Sequence, residues 1–434
     1  MSGTPLAESI RSALAGEKRL AAWQLRSTRR RGHQTYLVKT EAESERQVDG
    51  EVHEVAVFVK NGDKLGRATF TIGPGDAAAL TQRLEQGVYM AGLGGDQPWT
   101  LPAAADPPRV ETWDEALSYE RARKTSTGIA DAWRAAVAAE KEVRPSSMEL
   151  YCGDERATLS NSSGLAVEER TTRVSLLTLL LADGARPAER ILWDERRRAA
   201  DLDVATIVRR AAEEARDLRV AMPPPSGQYA VVIDADELTA FLDPILQNSS
   251  AAALYEKSSR FEVGKPLPIE TKGGEKLTVV SNATLPFGLS SYTFDFAGVP
   301  GRRVEIVKDG TFVQPWSTKQ FADYLQATPT GGFANWEVPA GGTPLAELTN
   351  GDRVLYVRSF SWLTPDAARG NFSSEIRVGY LYEKGVRKPV KGGTVSGNVF
   401  AALGTARFAK DVVFRGDWFG PAAVRLEGLT IAGA

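Results

Sequence analysis

Few side chains in this 434-residue chain are of the kind that do chemistry, and their spacing narrows what they do. There are two histidines, His33 and His53, and one cysteine, Cys152. A histidine-based zinc site, a Ser-His-Asp triad and a Cys-His dyad each need a histidine beside further ligands or a nucleophile. His53-Glu54 is the only His-Glu pair. Val55-Ala56-Val57-Phe58 follows it, a β pattern with no second histidine one helical turn on, so a zincin helix is not formed and His53 reads as a surface strand residue. Cys152 stands between Tyr151 and Gly153-Asp154 with no base nearby in sequence, which reads as a small core or edge residue. Arg29-Arg30-Arg31 reads as the solvated turn of a hairpin, and Glu195-Arg196-Arg197-Arg198 as a solvated face. Neither carries the aromatic interleaving of a nucleic-acid site. Gly73-Pro74-Gly75, Gly273-Gly274 and Gly341-Gly342 are turns and form no phosphate loop.

The elements that must position these residues follow from periodicity. A helix is expected over 5–15, then strands over 19–27 and 34–40 joined by Thr28-Arg29-Arg30-Arg31-Gly32. A hairpin turns at Asn61-Gly62, a strong signal between alternating apolar residues. Asp76 caps a helix with Leu80, Leu84 and Val88 inward. Residues 96–109 are Pro/Ala-rich and read as a linker. A longer helix presents Ile129, Trp133, Ala136 and Val137 on one face. Strands follow, with turns at Gly153-Asp154 and Ser163-Gly164, and then a helix from about Asp203 to Arg219. After a second Pro-rich break at 222–227, Tyr229–Asp234 reads as a strand buried on both faces, without a dinucleotide fingerprint. Asp234 or Asp236 caps the next helix, which Pro244 interrupts. The remainder is rich in strands and glycine, with a hairpin at Asp309-Gly310, and short helices expected from Ser317/Gln320 and from Thr343-Pro344.

These patterns predict an α+β fold: an N-terminal helix-plus-antiparallel-sheet domain over 1–223, with a sub-boundary near 96–110, and a larger β-rich C-terminal domain over 224–434. The composition, 42% hydrophobic and 25% charged with a net charge of −2, is that of an ordinary globular protein. It offers no global field for DNA or a membrane surface. One cysteine forbids an intramolecular disulfide, and no stretch is long and apolar enough to span a bilayer, so a cytoplasmic location is expected.

One stretch is more specific, Arg369–Asn398. Ile376, Val378, Tyr380 and Tyr382 fall on one strand face by the period of two. Lys384-Gly385 reverses the chain and Gly392-Gly393 reverses it again. Ahead of the strand, Arg369-Gly370-Asn371-Phe372-Ser373 forms a loop able to bring its backbone close to a partner or a ligand. The motifs Arg-Gly-Asn-Phe-Ser, Gly379-Tyr380-Leu381 and Gly393–Asn398 resemble the C-terminal signature of the TldD/PmbA (TldE) family. Leu159–Leu176, Tyr229–Phe261 and Gly298–Leu325 also resemble family segments, in order and spacing.

In that family the TldD-type subunit is a zinc peptidase, with HExxxH on the helix after the core strand and a metal-binding cysteine near the C-terminus. The matching helix here reads Ile245-Leu246-Gln247-Asn248-Ser249-Ser250-Ala251-Ala252, and Phe414–Ala434 holds no cysteine. The resemblance therefore implies a TldE/PmbA-like, non-catalytic subunit. It would have no catalytic or metal-binding residue and no cofactor of its own, zinc being expected in a TldD-type partner, and it would handle unfolded or flexible peptides. Arg369, Gly370, Asn371, Phe372 and Ser373 are the candidate peptide- or partner-contact loop, with Phe372 as an apolar wall beside a strand edge. The aromatic segments around Trp316, Trp336 and Trp362 are its rivals. Two other readings stand beside it: a stand-alone binding or scaffold protein of the same fold, and an independent hydrolase using Cys152 or a carboxylate.

Overall fold

The computed structural model describes residues 4–433. Strands β1 (Ala22–Val38), β2 (Glu41–Asn61), β3 (Lys64–Ile72), β4 (Arg144–Asn161), β5 (Ala166–Ala182) and β6 (Ala188–Arg196) form one antiparallel sheet in the order β3-β2-β1-β4-β5-β6. Helices α1 (Pro5–Gly16), α2 (Leu80–Gly92), α3 (Tyr119–Ala139) and α4 (Val204–Leu218) cover one face of it. Ile10, Leu14, Leu84 and Val88 pack on Val55, Val57 and Ile72. Trp133 and the apolar side of α4 pack on Leu37, Met148, Leu150, Cys152, Val174 and Leu176. The opposite face is covered in part, by Trp99 and Leu101 on Ala56 and Phe58 and by Phe294 on Leu159, Leu165 and Val167.

Two expected turns do not exist. β1 runs unbroken through Thr28–Gly32, and β4 through Gly153-Asp154. Each arginine of the run pairs with an acid: Arg29 with Asp49 at 2.7 Å and Arg30 with Glu155 at 2.6 Å, both still exposed to solvent, and Arg31 with Asp154 at 3.0 Å. Such cross-strand pairs stabilise a sheet interior as well as they decorate a turn. Gly32 stands directly opposite Gly153. A Cβ on Gly32 would lie 2.4 Å from the Cys152 carbonyl oxygen, and one on Gly153 2.3 Å from that of Arg31. The two glycines therefore mark a close backbone approach, where long strands bend.

The C-terminal part begins with β7 (Gly227–Asp234), α5 (Ala235–Phe241), α6 (Asp243–Asn248) and α7 (Ala251–Tyr255). A second sheet uses β8 (Val279–Asn282), β9 (Arg303–Lys308), β10 (Thr311–Phe312) and, beyond α8 (Lys319–Tyr324), β11 (Asn335–Glu337). Then come α9 (Leu345–Leu348), β12 (Arg353–Phe360), β13 (Asn371–Glu383), β14 (Val386–Val390), β15 (Thr394–Asn398), α10 (Val399–Leu403), β16 (Arg407–Phe408), β17 (Val412–Arg415), β18 (Trp418–Pro421) and β19 (Ala423–Ala432). β17 and β18 complete the second sheet. The third runs β12-β7-β19-β15-β13-β14, and β13 also pairs with β12, so five of its strands close on themselves. Between named strands, parallel pairing is confined to β7 with β12 and β11 with β18. The architecture is thus α+β, with antiparallel sheet dominant.

β7 lies between β12 and β19, and Tyr229–Asp234 are all buried, as the continuous apolar run requires. Pro244 breaks the following helix into α5 and α6. The main core joins the second and third sheets through Val231, Ile233, Phe241, Ile306, Trp336 and Trp418. β13 departs from its expected single face. Ile376 packs in this core, whereas Tyr380 packs with Ala230 and Val232 on the other side of the sheet. The register against β12 shifts near Ser359 and Phe360, and a bulge of this kind turns the following side chains over.

Candidate functional site

The loop 369–373 is a knotted corner of the C-terminal part. Gly370 has φ +78°, and a Cβ there would sit 2.7 Å from the Phe400 ring. The Gly370 N–H donates to the Asp366 carbonyl at 2.7 Å, and the Val399 N–H donates to the Gly370 carbonyl at 2.8 Å. Asn398 caps α10 with its Oδ1 and donates from Nδ2 to the Arg369 carbonyl at 2.7 Å and to Asn371 Oδ1 at 2.8 Å. Phe372 is only 7% exposed and meets Phe241 edge to face with ring centroids 5.7 Å apart. It is core, not a surface wall. The adjoining strand edge is also taken. Asn371–Glu375 pair with β15 on one side, and on the other the Asp366 and Ser361 N–H groups donate to the Asn371 and Glu375 carbonyls. Arg369, Asn371 and Ser373 remain exposed. Among the rival tryptophans, Trp336 is buried, Trp316 is half-buried and Trp362 is 79% exposed.

The corner sits on α6. Asn248, buried at the end of that helix, donates from Nδ2 to the Pro244 and Ala367 carbonyls at 2.8 and 2.7 Å, and its Oδ1 accepts from the Arg260 N–H at 2.8 Å. Asp243, at the other end, accepts from Gln247 Nε2 at 3.1 Å. The helix therefore offers one carboxylate and two amides, Gln247 on Asp243 and Asn248 committed to the backbone, with no imidazole or thiolate. This donor set does not fit zinc. Among the described residues, no group of three or more His, Cys, Asp or Glu is placed to hold a metal ion.

The histidines and the cysteine lie elsewhere, in the N-terminal sheet. His53 is fully buried rather than on the surface. Its Nδ1 lies 2.8 Å from Ser27 Oγ, and its Nε2 lies 3.7 Å from Glu51 Oε1 with no hydrogen bond. Burial pulls its basicity down, with Glu51 opposing. His33 is buried beside Thr35, 3.3 Å from its hydroxyl. Cys152 is buried under α3 and α4, and burial pushes its thiol up to about 12. A thiol so held is neither thiolate nor accessible, which removes it as a nucleophile.

The sequence pattern did not reveal where charge concentrates: the junction of α4, β6, α5 and β12. Glu214 is buried between Arg190, Arg210 and Arg358, whose guanidiniums outweigh the desolvation that would raise it. Asp234 accepts from the Tyr356 hydroxyl. Asp236 meets Arg210 at 2.7 Å and Arg415 at 3.7 Å. Glu237 accepts from the Phe360 N–H at 3.0 Å, yet burial, with Asp236 and Asp234 nearby, pushes its carboxyl up to about 7. Arg197 is no solvated residue. It is buried and donates to the carbonyls of Gly288, Leu289 and Ser291. Two cavities open here. One of about 590 Å³ lies between the face of the sheet away from the helices and Ser290–Tyr292, and one of about 470 Å³ lies between β6 and α5. Glu195 borders both. The visible signals were Asp234-Ala235-Asp236-Glu237 and Arg196–Arg198, but no local rule says that one run faces the other.

Two family models match in succession, the PmbA/TldA metallopeptidase central domain over residues 111–219 and the PmbA/TldA metallopeptidase C-terminal domain over 226–433. The chain belongs to the PmbA/TldD family. Within it, the chain is 26% identical over 272 residues to a metalloprotease of Methanothermobacter thermautotrophicus, a stretch covering 56% of this chain and 57% of that one. It is 29% identical over 256 residues to the metalloprotease PmbA of Escherichia coli, covering 55% and 54%. The aligned stretches thus span little more than half the length of these two relatives. In fold, the crystal structure of TldE from Thermococcus kodakarensis superposes with a TM-score of 0.83 at 19% identity, over 98% of this chain and 100% of that one. For a PmbA/TldD chain, then, the departures on α6 are the informative ones.

Proposed function

We propose that this PmbA/TldD chain is the non-catalytic, TldE-like subunit of a peptidase whose zinc is carried by a TldD-type partner, and that the pair degrades or processes unfolded, flexible peptides in the cytoplasm. The observation that supports this reading is α6. Ile245–Ala252, the stretch where the family resemblance puts HExxxH, runs from α6 into α7, its polar side chains are Gln247, Asn248, Ser249 and Ser250, and Asn248 is tied to the Pro244 and Ala367 carbonyls. Among the described residues no set of side chains is placed to hold a metal, and without one a chain cannot activate water through a metal. The fold likeness to TldE over nearly the whole chain accords with it. The boundary between the two units is proposed at about Pro223, within the Pro-rich stretch 222–225. The exposed members of the corner, Arg369, Asn371 and Ser373, are proposed as partner contacts, while Gly370 and Phe372 hold their shape. The test is co-expression with an HExxxH homologue, followed by a peptide-cleavage assay of each chain alone and of the two together. Cleavage only by the pair supports the proposal. Cleavage by this chain alone, or no association, sinks it.

A further inference from the structure

The N-terminal sheet ends at β6, and the way it ends is informative. Among the described residues, no main-chain hydrogen bond joins 188–196 to any strand but β5. Four consecutive residues, Leu192, Trp193, Asp194 and Glu195, line the 470 Å³ cavity. Successive side chains of a strand point to opposite faces, so four in a row border one space only along the strand's edge. The free row of N–H and C=O groups therefore looks into a slot.

The far wall of the slot is the first turns of α5, with Thr239, and the turn from Arg415 to Trp418. Trp193 is 66% exposed at its mouth, held by its indole N–H on Ser175 Oγ at 2.7 Å, and Ile191 beside it is 47% exposed. Two guanidiniums stand at the slot. Arg210 is committed to the acids of the junction, with Nη2 2.7 Å from Asp236 Oδ2 and Nε 2.9 Å from Glu214 Oε1. Arg415 stands 3.7 Å from both Asp194 and Asp236, beyond hydrogen-bond distance.

We propose that β6 accepts an extended peptide segment as an added strand in this slot, read through its main chain and packed against Trp193. Main-chain pairing recognises any sequence able to extend, which is the chemistry suited to flexible peptides. Four residues of edge, about 13 Å at 3.3 Å per residue, accommodate four or five residues of ligand. α5 and the 415–418 turn face the edge across a space of about 470 Å³, a volume on the scale of a short extended segment rather than of a second sheet. The inference rests on reading the chain as part of a peptidase, and it adds where this subunit holds the peptide.

The test uses the isolated full-length chain and a fluorescein-labelled, proline-free eight-residue peptide of Ser, Val and Lys, with fluorescence anisotropy as the readout. Binding is expected, weakened at least tenfold when alternate peptide nitrogens on one edge are methylated, and weakened comparably by Thr239→Trp, which fills the slot, and by Trp193→Ala. Methylation alters no residue of the protein, so it decides the matter even if a variant folds poorly. Equal binding of the methylated peptide, or no binding, overturns the proposal. So does a dimer in sedimentation that Thr239→Trp dissociates, which would assign the slot to a second copy. If the reconstituted pair cleaves peptide while this chain alone binds none, the slot is refuted and the subunit reading stands; if neither occurs, both fall.

Discussion

Replacing Phe372 by alanine separates the two roles open to the Arg369 corner. In the structure the ring is 7% exposed, stacks edge to face on Phe241 and belongs to the main core. Removing a packed phenyl ring costs about 3–5 kcal/mol, from lost transfer energy plus the cavity left behind. For a cooperative unit the size of the C-terminal part, each kcal/mol moves the melting midpoint by about 2–4 °C, so a fall of about 10 °C is expected. Asn371→Ala is the control. It removes one exposed acceptor for Asn398 Nδ2, which keeps its bond to the Arg369 carbonyl. It should cost about 1 kcal/mol or less. Differential scanning fluorimetry of the two variants and the parent provides the readout. A Phe372→Ala midpoint within about 2 °C of the parent would refute the placement of Phe372 in the core and return it to the surface as a contact residue.

Glu237→Gln should abolish a pH dependence. Because burial raises the folded carboxyl from 4.5 to about 7, the folded state binds the proton more tightly than the unfolded state does. Its stabilisation is therefore full below about pH 4.5 and is lost as pH rises through about 7. The parent's midpoint should fall between pH 5 and pH 8, and the glutamine variant, whose amide oxygen still accepts from Phe360, should be the more stable at pH 8. An unchanged slope between parent and variant would contradict this. Cys152 should resist alkylation by iodoacetamide in the native protein and react only on unfolding, while Cys152→Ser leaves any activity of a reconstituted pair intact; rapid native labelling would show the thiol is reachable. Arg197→Met should strand three backbone carbonyls and loosen the junction by about 3 kcal/mol, seen as faster trypsin cleavage in 219–227; an unchanged cleavage rate would mean that Arg197 does not clamp it.

How far the sequence led depended on whether a feature was local. The Asn61-Gly62 and Asp309-Gly310 hairpins, α4 and its cap at Asp203, buried β7 and the break at Pro244 were all legible, because each is decided by turn chemistry or periodicity within a few residues. The Arg29–Arg31 run and Gly153-Asp154 were misplaced as turns because polar and glycine residues look the same in a turn and in a long strand whose partners lie more than a hundred residues away. The burial of His53 and the role of Arg197 were illegible for the same reason: Ser27, Gly288 and Ser291 meet them only once the sheets are assembled. The Arg369 corner stood out by its wording, and its place on α6 gives that wording a structural cause. The edge of β6 carries no motif at all. It became visible only through what does not pair with it.

The most direct test of the central claim is zinc and cleavage measured together on one preparation. The chain should be purified without chelator, alone and with an HExxxH partner, and assayed for metal by mass spectrometry and for hydrolysis of an unfolded peptide. The account predicts less than stoichiometric zinc and no hydrolysis for the chain alone, with both appearing in the pair. One zinc per isolated chain, held by its own side chains and accompanied by hydrolysis, would contradict it.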